Sequence, residues 1–420
     1  SGIKGVVILD ALHFTVGVLS TILMAILIMT AVGGPSELAL KLSLSTEAPP
    51  GITDMLPNLG HITLLEMIGF TCLILILWLG QAQGDGFIVQ RLFSAKNEKH
   101  AVKASLWFAV AAIVILTWPW IVIGLGSIIL LPISDASDAL LADPELAYPL
   151  MILKVLPTGL KGLLVAAFMA AFMSTVDTHL CWGGSYVVND IYKRFLVKDK
   201  TPKHYLFISR VSIVFLLLCS SIAAWQMDSI ADAWIYIIEI MSGVAIISML
   251  RWFWWRINAW SEITSMVTAL LLANGYFISK IIYYFDFINI NQLHQIQFYY
   301  DIDHALIRAA FILIVSTLMS LLVTFLTKPV ENNRLLAFYK KVKPMGWWQP
   351  IALQAPEIVV PQVAKTSWLG FGFGVIFLNS ILFSVGHLVL GHYLIAFILI
   401  VIAIISGRMT LRQVENTTTE

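Results

Sequence analysis

Long apolar runs recur along the chain, with short polar segments between them. A helix needs about 20 mostly apolar residues to cross the hydrocarbon core of a bilayer. The pattern therefore predicts about ten membrane-spanning helices, at 4–32, 62–83, 102–132, 158–188, 205–225, 232–251, 259–281, 305–327, 367–386 and 388–406. Almost nothing separates the last two runs, which predicts a tight hairpin around Gly386 and His387. The predicted fold class is an all-α membrane protein.

Composition agrees with this pattern and excludes other classes of protein. Hydrophobic residues make up 59% of the chain and charged residues 12%, whereas soluble domains carry about 25% charged residues. A soluble fold of this composition would expose large apolar patches. The net charge is +1 without a basic face, so the expected partner is the lipid bilayer and no nucleic acid. Cys72, Cys181 and Cys219 lie in apolar runs, where we expect buried thiols rather than disulfides.

The basic residues predict an orientation in the membrane. If the chain starts in the cytoplasm, 21 of the 26 Lys and Arg residues fall in cytoplasmic loops. This bias follows the positive-inside rule, so both ends of the chain are predicted to be cytoplasmic in the inner (plasma) membrane. The loop at 33–61 is expected to be an irregular extracellular segment, and the loop at 328–366 to hold a short amphipathic helix. The aromatic and basic segment 251–262 is interpreted as a structural interface anchor.

Polar residues inside predicted spans mark candidate sites, because they are costly in a bilayer and usually face a cavity. The first span contains Asp10 and His13, although Asp10 is alternatively a solvated residue at the inner surface. In the segment 77–91, glycines, glutamines and Asp85 interrupt an apolar run. This composition predicts a helix broken beside a cavity, or alternatively a frayed helix end at the interface.

A third polar cluster lies on one face of the predicted helix 158–188. Ala171, Ser174, Thr175 and Thr178 follow the spacing i, i+3, i+4 and i+7, which places them on that face. Two hydroxyls and a free carbonyl would suit a hard cation such as sodium. The same small residues also suit close helix packing in membranes. Spacing alone favours packing.

The sequence resembles the sodium:solute symporter family in several segments. The most diagnostic stretch is 156–180 followed by NDIYKRF at 189–195. Residues 84–105 resemble the family's QR-containing segment after the broken sixth core helix, and 1–14 resemble the start of its fifth core helix. Segments 251–262 and 327–348 resemble a bacterial subgroup.

The resemblance implies a LeuT-type fold, which is built from two inverted five-helix repeats. Residues 1–251 would supply the fifth core helix and the second repeat, so the chain is expected to be an amino-terminally truncated member that lacks its first four core helices. Residues 252–420 would form peripheral helices and a cytoplasmic tail. The implied function is secondary transport, not enzyme catalysis. Sodium, the coupling ion, would drive a small polar solute into the cell, and no cofactor is expected.

Carried over residue by residue, the resemblance also implies functional sites. The implied sodium ligands are Ala171, Ser174 and Thr175. A second cation or proton site would comprise Asp10, Ser174, Asp177 and Thr178, although the family has a hydroxyl residue where Asp177 stands. The implied solute contacts are Trp78 as an apolar lid, Gln81, Gln83, Asp85 and Lys103. The uncharged side-chain amides of Gln81 and Gln83 suit a neutral polyhydroxy or zwitterionic solute. Two alternatives stay open: a proton-coupled symporter, and a membrane sensor or receptor domain that has lost transport.

Overall fold

The structure is a computed structural model, and most of the residues that it describes are helical. It describes residues 3–56, 63–64, 67–71, 74, 89, 92–133, 138–225, 227, 229–285, 287–300, 304–358 and 364–417. The helices are α1 (Ile3–Val32), α2 (Pro35–Leu44), α3 (Glu98–Ala109), α4 (Thr117–Leu130), α5 (Asp138–Ala142), α6 (Ala147–Val155), α7 (Thr158–Tyr186), α8 (Pro202–Trp225), α9 (Ile230–Phe253), α10 (Ala259–Ala273), α11 (Gly275–Tyr284), α12 (Ile290–Tyr300), α13 (Ala305–Leu326), α14 (Asn332–Val342), α15 (Gln349–Ala352), α16 (Ala364–Val389) and α17 (Tyr393–Thr417). π-Helical segments follow α3 (Val110–Ile115) and α7 (Val187–Leu196).

Eight helices among the described residues are long and apolar enough to cross a membrane. They match eight of the ten predicted spans and cover Asp10–Val32, Glu98–Leu130, Thr158–Leu196, Pro202–Trp225, Ile230–Phe253, Ala305–Leu326, Trp368–Val389 and Tyr393–Val414. The predicted span 62–83 lies mostly outside the described residues. Two of the eight, Glu98–Leu130 and Thr158–Leu196, include a π-helical segment.

The predicted span at 259–281 is a bent pair of helices. The helix ends at Ala273 and continues as α11 after a bend of 63°. Asn274 stabilises the break, because its Nδ2 donates to the Leu270 carbonyl (2.9 Å) and to the Tyr236 hydroxyl (2.9 Å). The Tyr300 hydroxyl donates to the Leu272 carbonyl at 2.5 Å and satisfies an acceptor freed by the break.

Two further expectations about loops and turns are corrected. The irregular segment predicted at 33–61 contains helix α2, which starts with Pro35 after two glycines at positive φ and buries Leu38 and Leu42. The hairpin between the last two spans does not turn at Gly386 and His387. Helix α16 continues to Val389, and the chain reverses around Gly391, whose φ is +79°.

For the two cysteines that the structure describes, the expected burial is wrong and the expected free thiol is confirmed. Cys181 and Cys219 are free and exposed. Cys72 lies outside the described residues.

The chain divides into two compact units. The first comprises 1–58, 86–225 and 365–420. Its core lies where α1, α4, α6 and α7 pack together and is centred on Met24, Ile28, Ile123, Met151 and Leu164, each at most 1% exposed. Gly126 on α4 permits the closest approach, since a Cβ there would lie 2.2 Å from the Ile28 side chain.

The second unit comprises 59–85 and 226–364, and its core is a bundle of α9, α10 and α13. Small residues let these helices approach closely. A Cβ on Gly243 would lie 2.4 Å from the Ala269 Cβ and 2.9 Å from the Ser316 hydroxyl. The Ser265 hydroxyl donates to the Gly243 carbonyl at 2.7 Å, which links α10 to α9 by a hydrogen bond as well as by packing.

A buried ion pair joins α9 to α13 in the same unit. Arg308 Nε donates to Glu239 Oε1 at 2.6 Å, and the two side chains are 11% and 3% exposed. Arg308 Nη1 also donates to the Tyr299 carbonyl at 2.7 Å, and the guanidinium lies 5.0 Å from the centre of the Tyr300 ring. The Arg308 guanidinium therefore links α13 to α9 and to the end of α12.

The segment 251–262 and the loop at 328–366 pack against each other. Trp254 and Trp347 form a parallel backbone bridge, and the Trp348 indole donates to the Trp252 carbonyl at 3.1 Å. The short amphipathic helix expected in this loop is α14, which buries Leu335 and Tyr339. The aromatic residues of 251–262 thus hold a folded loop, in keeping with their structural interpretation.

The close contact at Gly243 generates a stability prediction. Gly243→Ala should lower the free energy of unfolding by about 1–3 kcal/mol, the usual cost of an extra methyl in a tightly packed site. Gly124→Ala on α4 is the matched control, because nothing lies within 4 Å of its Cβ position. The control should be neutral or stabilising by up to about 1 kcal/mol. Denaturant unfolding followed by tryptophan fluorescence measures both. Equal stability of the two variants would contradict the packing described for this bundle.

The buried ion pair generates a second prediction. Arg308→Met leaves the Glu239 carboxylate buried without its counter-charge, which should cost about 3–5 kcal/mol of folding stability. The double variant Glu239→Leu with Arg308→Met should recover most of that loss, because apolar side chains replace both charges.

The matched control for this pair is Arg334→Met, since the Arg334–Glu331 pair is about three-quarters exposed. Removing an exposed pair should cost less than about 1 kcal/mol. The same unfolding measurement applies. If the loss of stability in the double variant equals the sum of the losses in Glu239→Leu and Arg308→Met, the two residues are not energetically coupled.

Candidate functional site

The candidate site is centred on the contact between α1 and α7 in the first unit. The Ser174 hydroxyl on α7 donates to Asp10 Oδ1 on α1 at 2.6 Å, although 164 residues separate them in the sequence. Both side chains are half-buried. A hydrogen bond to a charged acceptor is short and strong, so this bond fixes both the Ser174 hydroxyl and the α1–α7 contact.

The three residues implied as sodium ligands lie together on α7. Thr175 Oγ1 donates to the Ala171 carbonyl at 3.0 Å, so these two oxygen atoms already lie next to each other. Ala171 and Thr175 are exposed, and Ser174 is adjacent to Thr175 in the chain. The arrangement therefore presents a carbonyl oxygen and two hydroxyl oxygens within one helical turn.

The residues implied as a second cation site are only partly brought together. The Thr178 hydroxyl donates to the Ser174 carbonyl at 2.9 Å, which places it one turn beyond Ser174. Asp177 is exposed, and its Oδ1 is 3.5 Å from the Cys181 Sγ, which donates to it. The structure thus connects Asp10 and Thr178 through Ser174, and it gives Asp177 a thiol neighbour.

Four of the five solute contacts implied by the resemblance fall in a part of the chain that the structure does not describe. Trp78, Gln81, Gln83 and Asp85 lie outside the described residues. Lys103 is exposed in the second turn of α3. The side chain of Asn97 caps the start of this helix and accepts a hydrogen bond from the His100 backbone amide at 3.0 Å.

One further polar atom near the candidate site emerges from the structure. His13 lies one helical turn after Asp10, and its Nδ1 is buried without a hydrogen-bond partner among the described residues. Burying an imidazole nitrogen without a partner costs free energy. The spacing of Asp10 and His13 on one helix was the only sequence signal for this pair.

Comparison with known proteins places these residues in context. A family model described as the sodium:solute symporter family matches residues 1–268, a range that includes Asp10, His13 and every candidate residue on α7. This chain belongs to the sodium:solute symporter family. The match confirms the resemblance found in residues 156–180 and 189–195.

Relatives in this family are sodium cotransporters. The chain is 25% identical over 293 residues to the sodium/glucose cotransporter of Vibrio parahaemolyticus, an alignment that covers 65% of this chain and 53% of the relative. It is 31% identical over 211 residues to the sodium/myo-inositol cotransporters 2 of Homo sapiens and Oryctolagus cuniculus, covering 45% of this chain and 30% of each relative. The chain therefore spans about half the length of the bacterial relative and less than a third of the mammalian ones.

Family membership and the apolar helices together define the class of protein. The family consists of transporters and not enzymes. The helices described above make this member a multi-pass membrane protein. The LeuT-type repeat and the division of the chain at residue 251 stay predictions.

Proposed function

We propose that this protein is a sodium-coupled symporter in which Ala171, Ser174 and Thr175 bind the coupling ion. The observation that carries the proposal is the arrangement of three oxygen atoms on one turn of α7, within the part of the chain that the family model matches. Sodium is a hard cation, and hard cations bind oxygen ligands. Transporters of this architectural type coordinate sodium with backbone carbonyls and side chains near the membrane midplane.

The Asp10 carboxylate supports this role by orienting a ligand. A serine hydroxyl has one proton to donate and two lone pairs that accept. Because Ser174 donates its proton to Asp10 at 2.6 Å, both of its lone pairs stay available for a cation. Asp10 also contributes negative charge close to the ion. We therefore assign Asp10 as a positioning residue for Ser174.

Burial supports ion binding over the packing alternative. Small residues that serve packing are covered by the neighbouring helix, as Ala245 and Ala269 are at 0% exposure. Ala171 and Thr175 are instead exposed on α7. This difference favours binding over packing for the α7 face.

The energetics are adequate for coupled transport. One charge that crosses a membrane potential of 100 mV releases about 2.3 kcal/mol, before any concentration gradient is counted. An ion shifts a conformational equilibrium only by binding one state more tightly. The positive-inside distribution of Lys and Arg supports an orientation in the plasma membrane with both ends of the chain inside.

The solute class proposed is a small neutral polyhydroxy compound such as a sugar or an inositol. The names of the relatives, sodium/glucose and sodium/myo-inositol cotransporters, support this class over a zwitterionic solute. The uncharged amides of Gln81 and Gln83 are proposed as its hydrogen-bonding partners.

Proton coupling is a second candidate that one observation favours. Asp10 accepts a hydrogen bond at the α1–α7 contact, and the unpartnered Nδ1 of His13 lies one turn away on the same helix. Carboxylate and imidazole groups inside membranes form proton relays. Ion substitution experiments separate the two candidates.

The sodium site generates the principal prediction. Ser174→Ala and Thr175→Ala each remove one ligand oxygen. A hydrogen bond to a charged group is worth about 1.5–3 kcal/mol, and we use this value for the contact between sodium and one ligand oxygen. Each alanine variant should therefore weaken sodium affinity about ten- to a hundredfold. Thr175→Ser should be mild because it keeps the oxygen. The measurements are binding of radioactive sodium to the purified protein and sodium-dependent uptake of labelled glucose or myo-inositol into proteoliposomes.

Ser185→Ala is the matched control for these variants, since Ser185 is an exposed hydroxyl further along α7 that bonds Asn189. It should keep the wild-type affinity. If both alanine variants retain the wild-type half-saturation for sodium, the ion-site assignment is wrong.

A separate prediction concerns Asp10. Asp10→Asn keeps the size of the side chain and removes its charge, so it should change the ion-to-solute stoichiometry or the pH dependence of uptake. The reversal potential measured at several pH values reports both quantities. Asp190→Asn, an exposed acidic residue beyond the end of α7, should change neither. An unchanged reversal potential and pH profile in Asp10→Asn would leave Asp10 with a purely structural role.

A further inference from the structure

The turn between α16 and α17 has a defined backbone geometry. The His392 amide donates to the His387 carbonyl at 2.8 Å, and the Gly391 amide donates to the Leu388 carbonyl at 3.2 Å. Gly391 lies between them with a φ of +79°. These two bonds and the left-handed glycine form a Schellman motif, which ends a helix and satisfies its last carbonyls.

This motif brings two particular side chains together. The residue after the glycine lies against the residue that begins the motif one turn earlier, and an apolar contact usually occupies these two positions. In this chain both positions are histidines. The Nδ1 atoms of His387 and His392 are 3.2 Å apart, and their rings are inclined at 48°. A hydrogen bond between the two atoms would require one to carry a proton and the other to lack it.

The separation of the two nitrogen atoms also matches the spacing of two ligands on one metal ion. Zinc–imidazole bonds are about 2.0–2.1 Å long, so tetrahedral geometry separates two ligand nitrogens by about 3.3 Å. Square-planar geometry, as for copper(II), with bonds of the same length separates them by about 2.9 Å. The observed 3.2 Å lies between these values. We propose that His387 and His392 form a two-histidine binding site for a divalent transition-metal ion.

The surrounding contacts hold both histidines in place. The Trp118 indole donates to the Leu382 carbonyl at 2.9 Å, one turn before His387, and attaches α16 to α4. Gly386 lets this indole pack directly on the helix, since a Cβ there would lie 2.4 Å from the ring. At the turn itself, a Cβ on Gly391 would lie 2.9 Å from the Ser36 hydroxyl. Ligands on a fixed backbone lose little entropy when a metal binds.

The chemistry of the two ligands sets the selectivity. Imidazole nitrogen suits zinc, copper and nickel, and affinity rises from manganese to copper along the first row. Calcium and magnesium prefer oxygen ligands and should not compete. A site with two protein ligands leaves coordination positions for water, so binding should be weaker and more exchangeable than in a closed four-ligand site.

Metal binding to the full chain tests the proposal. The protein is purified with a tag that contains no histidine and is titrated with zinc chloride by calorimetry. One equivalent of zinc should bind, and His387→Ala and His392→Ala should each weaken binding at least tenfold. His294→Ala is the control, because His294 is an exposed histidine on α12, and it should change nothing. Unchanged zinc affinity in both turn variants would overturn the proposal.

A second measurement needs no variant and therefore does not depend on how well a variant folds. Diethyl pyrocarbonate modifies accessible imidazoles, and mass spectrometry of the peptides locates the modification. Zinc, but not magnesium, should protect His387 and His392 while His294 stays reactive. Equal modification of the turn histidines with and without zinc would reject the site. With one equivalent of copper(II), the electron paramagnetic resonance spectrum should show two coordinated nitrogen atoms.

Discussion

Backbone polar groups in the hydrocarbon part of a bilayer have to find their partners within the protein, because no water is there to supply them. The described helices show this constraint in many places. The hydroxyls of Ser20 and Thr21 donate to carbonyls four residues earlier, at 2.7 and 2.8 Å. At the break between α10 and α11, the Tyr300 hydroxyl takes the carbonyl that the helix no longer uses. At this break a side chain therefore completes the hydrogen bonding of the irregular backbone.

How far the sequence predicts this fold depends on which physical signal each feature leaves. The membrane spans leave a strong signal, because length and hydropathy alone located the eight spans that the structure describes. The break at Asn274 was missed because the residues around it keep the average hydropathy high, although an Asn–Gly pair is a turn signal. Helix α2 was missed because the glycines before Pro35 marked a loop, whereas proline in the first turn is compatible with a helix. The turn at Gly391 was placed too early because apolar residues continue past His387.

The candidate site was predictable in part, for a similar reason. Helical periodicity placed Ala171, Ser174 and Thr175 on one face, because that face depends only on local spacing. The contact between Ser174 and Asp10 joins residues 164 positions apart. Periodicity carries no information about such a pair, and only the family resemblance suggested it. The Glu239–Arg308 pair was overlooked although an acidic residue inside an apolar span is itself a signal.

Small residues and hydroxyls occur in the α9–α10–α13 bundle and on α7, and the two groups differ in burial. On α9, α10 and α13, residues such as Ala269 and Ser316 are 0% exposed, and the close approach of the backbones uses the small side chains directly. On α7, Ala171 and Thr175 have the same chemical character but are exposed. A hydroxyl in a tight interface has its lone pairs covered by neighbouring atoms, whereas an exposed hydroxyl can still accept a contact from an ion. The same residue types therefore support close helix packing in the second unit, whereas on α7 they leave Ala171 and Thr175 exposed.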